Sequence, residues 1–212
     1  MKHQAGRLLA VAECNAELAL ARLVSEELKN NEELKKRLKE KKLGADIAIV
    51  HRPARGGHSR VIIETLRNLC RRRAEEAKVV LFIDYEEGAA SQSYTERLCS
   101  GEKRQVYSQR GASVLVCASM LDARDPRRGE SCTLEVYAVV WRPRSEEVLS
   151  ALGVLSDNPR DWGRVKRDPG YVARRLAGTP LPKAVAEALT ELIKLIDEYR
   201  SCLDDLGCVR LL

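Results

Sequence analysis

Apolar residues in this chain fall into two alternating patterns, short unbroken runs and stripes at helical spacing. Residues 7–14 (RLLAVAEC) form a run that predicts a first strand, its alanines leaving helix as the alternative. Residues 15–28 place Leu18, Leu23 and Leu28 among apolar positions of helical period. Asn30-Asn31 interrupts that helix. Asn30 as a cap, with Glu33 three residues later, predicts a capping box opening a second helix that ends near Lys42. Gly44 stops it, and residues 45–50 (ADIAIV) predict a second strand. Residues 51–60 (HRPARGGHSR) predict a loop, since Pro53 disfavours strand continuation and Gly56-Gly57 frees the backbone. Ser59 is placed to cap a helix over 60–78 with Ile62, Ile63, Leu66 and Leu69 on its apolar side. Residues 79–84 (VVLFID) then predict a buried strand whose last residue is an acid.

Beyond Asp84 the patterns are shorter. Residues 91–98 predict a short helix, 114–118 and 133–140 (TLEVYAVV) predict strands, and the charged segment 122–130 with Pro126 and Gly129 predicts a loop. Pro143 closes the later strand, and 146–152 predict a short helix. Residues 158–170, with Pro159, Gly163 and Pro169 among charges, predict a connector or exposed loop. Pro180 and Pro182 then lead into a helix whose Val185, Leu189, Leu192, Ile193 and Ile196 form one apolar face. Such a face packs on the sheet, on the N-terminal helix or on another copy of the chain.

Strand and helix alternate as far as Asp84, which predicts an α/β fold around a mostly parallel sheet flanked by helices. The 212 residues suit one core with a C-terminal helical segment, divided as 1–142 and 143–212. No apolar run is long enough to cross a membrane, and Glu13, Asn15 and Glu17 break any leader-like stretch, so a cytoplasmic protein is expected. The seven cysteines show no CxxC pattern and no zinc-like spacing to the histidines at 3, 51 and 58. They read mostly as small buried hydrophobes, with Cys202 and Cys208 close enough in sequence to meet across a turn.

The formal charge of +6 permits a polyanionic partner. Seven arginines fall between Arg52 and Arg73, opposed only by Glu64. Arg52, Arg55, His58, Arg60, Arg71, Arg72 and Arg73 are the candidate nucleic-acid contacts, the planar guanidinium being suited to phosphate. Further basic groups lie at Lys103-Arg104, Arg124, Arg127-Arg128 and 164–167. Gly56-Gly57 matches neither the dinucleotide fingerprint nor the phosphate loop, so neither cofactor is inferred.

The candidate chemistry lies at strand exits. Asp84 and Glu86 fall on one side of an extended backbone with Tyr85 on the other. Two like charges so placed repel, and a divalent cation relieves the repulsion. If the core is parallel, Glu13 after the first strand, the Arg55 loop after the second and Asp84/Glu86 after the third share one sheet edge.

A glutamate after the first strand, Glu13, and an acidic-x-acidic motif after a later strand, Asp84-Tyr85-Glu86, resemble the small archaeal and bacterial Toprim-like group, related to topoisomerase, primase and OLD-type nuclease domains. The resemblance covers roughly residues 7–140. It implies Glu13 as general acid or base, Asp84 and Glu86 as ligands of Mg²⁺ (or Mn²⁺), and nuclease-like phosphodiester chemistry. The chain departs from the pattern in having Glu13-Cys14 where relatives have Glu-Gly, and Glu86 where they have aspartate. The alternatives are a non-catalytic nucleic-acid-binding or defence-associated accessory protein, and an assembly protein dimerising through its C-terminal helix.

Overall fold

The computed structural model describes residues 6–12, 14–40, 43–50, 68, 78–85, 95–96, 98–99, 102–109, 111–124, 131–168, 170–176 and 182–204. Its framework is a six-stranded sheet: β1 (Gly6–Ala12), β2 (Leu43–Val50), β3 (Lys78–Asp84), β4 (Glu102–Gln109), β5 (Ala112–Arg124) and β6 (Ser131–Arg142). The spatial order is β2-β1-β3-β6-β5-β4, with β2, β1, β3 and β6 parallel and β5 antiparallel to both of its neighbours, β6 and β4. The α/β class and mixed, mostly parallel sheet therefore follow the alternation of apolar runs and helical stripes.

β3 is central, and Val79, Val80, Leu81, Phe82 and Ile83 are all buried. Side chains of a strand alternate between faces, and here each face has its own core. Val80 and Phe82 join Leu8, Ala10, Tyr137, Val139 and Trp141 beneath the helices, while Val79, Leu81 and Ile83 join Val136, Ala138, Val140 and Leu98 on the other side. Asp84 thus follows Val80 and Phe82 onto the first face, and Tyr85 packs with the second core.

Helices α1 (Asn15–Asn30) and α2 (Glu32–Glu40) lie between β1 and β2 and cover the parallel half of the sheet. Their junction is capped one residue later than expected. Asn31 closes α1 and its side chain accepts the Leu34 amide at 3.1 Å to open α2, because the third amide of a helix is the one a cap reaches. After β6 come α3 (Ser145–Ala151), α4 (Pro159–Arg167), α5 (Gly170–Leu176) and α6 (Lys183–Asp204). The apolar face of α6 is consumed within the chain. Val185, Leu189, Leu192, Ile193 and Ile196 are buried, and the helix packs on β4, β5, β6, α1 and α2. Each of these side chains contributes roughly 1.5–3 kcal/mol by burial, so this face holds the helix to its own sheet and is not left for a second copy.

Three expectations are corrected and one unanticipated strand is added. Residues 158–170 are not a connector: Asn158 caps α4, its side chain accepting the Arg160 amide at 2.9 Å, and Pro159 sits in the first turn, where its missing N–H costs nothing. The segment 122–130 is not loop throughout, since β5 continues to Arg124, which is paired with Ser131. The added strand is β4, which among the described residues lies at the edge of the sheet, has no apolar run of its own and shows a register shift between Gln105 and Tyr107 where it meets β5. Cys99 and Cys117 are not merely buried hydrophobes but form a disulfide, Cα to Cα 5.1 Å, joining a helical turn at Thr95–Cys99 to β5.

Candidate functional site

β1 and β3 are parallel neighbours with Ala12 opposite Phe82, so both strands end at the same sheet edge. At that edge the chain turns into α1 through a reciprocal cap. The Cys14 sulfur accepts the Ala16 amide at 3.4 Å, and Glu17 Oε2 accepts the Cys14 amide at 2.9 Å. Cys14, a departure from the Toprim-like pattern, is therefore a helix cap. Its thiol is pushed well above the usual thiol range by burial and by Glu17 beside it, so it stays protonated and is a poor nucleophile.

β6 runs beside β3 with Trp141 opposite Asp84, and the chain leaves β6 to start α3 directly over the Asp84 carboxyl. Ser145 donates its backbone amide to Asp84 Oδ1 at 2.7 Å, and its hydroxyl lies 2.5 Å from the same oxygen. The hydroxyl also contacts Glu17 Oε1. Glu17 and Ser145 have no exposed surface, and Glu146 has 2%. Lys166 from α4 reaches Glu146 Oε1 at 3.3 Å, and Asn15 Nδ2 donates to the Lys166 carbonyl at 2.5 Å. The Asp84 carboxyl is pushed up to about 9, first by burial and then by Glu17 at its side, with Glu146 adding in the same direction. Ser145 opposes this only in part.

Burial and the Glu17 carboxyl beside it thus favour the protonated form of Asp84. A protonated carboxyl and one hydroxyl offer two hydrogens to a cluster of oxygens from Asp84, Glu17 and Ser145, which satisfies it without water. The arrangement clamps β3, α1 and α3 together.

The sequence-predicted residues fare unequally. Asp84 is at the strand exit as expected, but its neighbours are Glu17, Ser145 and Glu146, none of which was singled out. Glu13 and Glu86 lie outside the described residues, as do Arg52, Arg55, His58, Arg60, Arg71, Arg72 and Arg73. Glu17 carried one legible signal, its place three residues after Cys14 at the start of a helix. Ser145 carried none, being 61 positions from Asp84. Among the described residues no three His, Cys, Asp or Glu side chains are grouped to hold a metal ion. Asp84 Oδ1 already accepts from the Ser145 amide and hydroxyl, and burial with Glu17 beside it favours the protonated carboxyl. No family model, curated protein or solved structure matches the chain.

Proposed function

We propose that this protein binds nucleic acid and that the Asp84 cluster fastens the fold instead of activating water. The observation that carries the second half is the engagement of half-buried Asp84, at Oδ1, by both the amide and the hydroxyl of buried Ser145. Burial and the neighbouring Glu17 raise the proton affinity of this carboxyl, so a metal ion would have to displace that proton to bind. The first half is supported by the excess of basic over acidic residues, 37 against 31, and by the preference for arginine in the basic clusters.

A second reading, Mg²⁺-dependent phosphodiester hydrolysis on a Toprim-like core, is favoured by one observation: β1 and β3 are parallel neighbours that end together. It needs Glu13 and Glu86 to supply what Asp84 does not.

Calorimetric titration of Mg²⁺ and Mn²⁺ into metal-free protein separates the two, with an Asp84→Asn/Glu86→Gln variant beside the wild type. The binding reading expects no saturable metal heat, and an end-labelled strand that stays intact on incubation with Mg²⁺. Saturable Mn²⁺ binding lost in the variant, together with Mg²⁺-dependent shortening of the strand, would overturn it in favour of hydrolysis.

A further inference from the structure

We infer that the phosphate-contacting surface is the exposed side of the α4–α5 helix pair, a region outside the arginine-rich segment at 52–73. This inference rests on the nucleic-acid reading above and places its interface. Arg160, Arg164 and Arg167 recur at positions i, i+4 and i+7 of α4, all exposed, so they form one stripe along the helix. At 1.5 Å per residue, successive guanidinium roots lie about 6 and about 4.5 Å apart along the axis. A row of charge at that spacing matches a linear polyanion better than a single anion.

α5 adds Arg174 and Arg175, also exposed, which reach acids at the two ends of α4, Arg175 at Asp161 and Arg174 at Asp168. The Arg164 guanidinium sits over the Tyr171 ring at 5.8 Å, while Arg175 donates to the Tyr171 hydroxyl at 3.2 Å. α1 packs against both helices of the pair, and the Asp168 carboxyl is lowered chiefly by its hydrogen bond to Arg174, with Arg22 of α1 adding least. Two acids face this patch. Asp161 pairs with Arg164 at 3.6 Å and Arg175 at 3.8 Å, and Asp168 pairs with Arg174. They do not neutralise it. Arg164 and Arg174 still expose 60% and 66% of their side chains, and exposed pairs of this kind are worth little and exchange readily for phosphate.

The same surface argues against a lipid headgroup partner. The exposed residues of α4 are Pro159, Arg160, Arg164, Lys166 and Arg167, with Trp162 half-buried and its indole donating to the Ser156 carbonyl, so α4 offers no large, fully exposed apolar side chain to insert. The scaffold beneath is fixed: Val165 and Val172 are buried, and Asn15 and Glu146 tie the end of α4 to the Asp84 edge.

The test is fluorescence anisotropy with a short labelled duplex and its separated strand in EDTA, with salt varied between about 50 and 200 mM. Three proteins are compared: the wild type, Arg160→Gln/Arg164→Gln/Arg167→Gln, and a charge-matched Lys36→Gln/Lys39→Gln/Lys183→Gln control drawn from other exposed helix positions. Wild-type affinity should fall linearly in log–log form. The arginine variant should lose about 3 from the magnitude of that slope, the lysine control less than about 1. Thermal melts of all three confirm that the fold is kept. Wild-type binding with equal losses in both variants, or none in the arginine variant, would overturn the interface and leave the nucleic-acid reading standing. Absence of wild-type binding to both the duplex and the strand would overturn both.

Discussion

Ser145 donates its backbone amide to the Asp84 carboxyl at 2.7 Å across 61 residues of sequence, joining the first turn of α3 to the exit of β3. That bond decides how the strand-exit acid is used. A carboxyl accepting from a helix amide and from a buried hydroxyl, with a second carboxyl alongside, stabilises the fold best in its neutral form.

A pH dependence follows. Asp84 has a folded value of about 9 against an ordinary value of 3.8. A group whose folded pKa is raised contributes fully below its unfolded value, and the contribution is lost as pH rises towards the folded one. Between about pH 4 and pH 9, rising pH therefore works against folding through this group. Asp84→Asn keeps the acceptor for Ser145 and cannot ionise. Its stability relative to wild type should increase from pH 5 to pH 9 in urea titrations, and a constant difference across that range would contradict the assignment.

Removal of the Ser145 hydroxyl tests the clamp directly. Ser145→Ala retains the amide bond to Asp84 but leaves buried Glu17 and Asp84 short of one hydrogen. The expected loss is about 1–3 kcal/mol in the unfolding free energy, and Ser145→Thr should recover part of it.

The disulfide offers a covalent check. Non-reducing peptide mapping should recover Cys99 joined to Cys117, whose sequence separation is 18. For a loop of that size, Cys99→Ser/Cys117→Ser should lower unfolding free energy by about 3 kcal/mol. Recovery of both cysteines as alkylated thiols from protein unfolded under non-reducing conditions would show the pair unbonded.

Arg104 ties β4 to α6, meeting Glu102, Glu198 and, at 3.5 Å, Glu191. With 24% of the side chain exposed and both glutamates of α6 partly in solvent, screening limits its worth. Arg104→Met should cost about 1 kcal/mol at low salt and less in high salt. An equal loss at both ionic strengths would point to packing as the cause.

β1, β2 and β3 were legible because each is an apolar run between turn signals, and α6 because its stripe is long. β4 was not, since Glu102–Gln109 holds only Val106 and Tyr107 as large apolar residues and owes its strand state to pairing with β5. α4 was hidden by Pro159 and Gly163, which read as breakers, although a proline in the first turn is compatible with helix. Asp84 could be seen as an acid ending a strand. Its partners could not, because Glu17 and Ser145 are 128 positions apart and meet only through the order in which the strands assemble.

β4 also bears on how the sheet ends. An open strand edge is a template for pairing with another molecule, and natural sheets discourage this with charge and with irregular registers. Lys103, Gln105 and Ser108 face solvent on β4, and the shift between Gln105 and Tyr107 distorts its ladder. An approaching strand would have to desolvate a lysine and match a kinked backbone. The polarity that conceals this strand in the sequence thus serves to keep neighbouring molecules from adding to the sheet, a safeguard against aggregation.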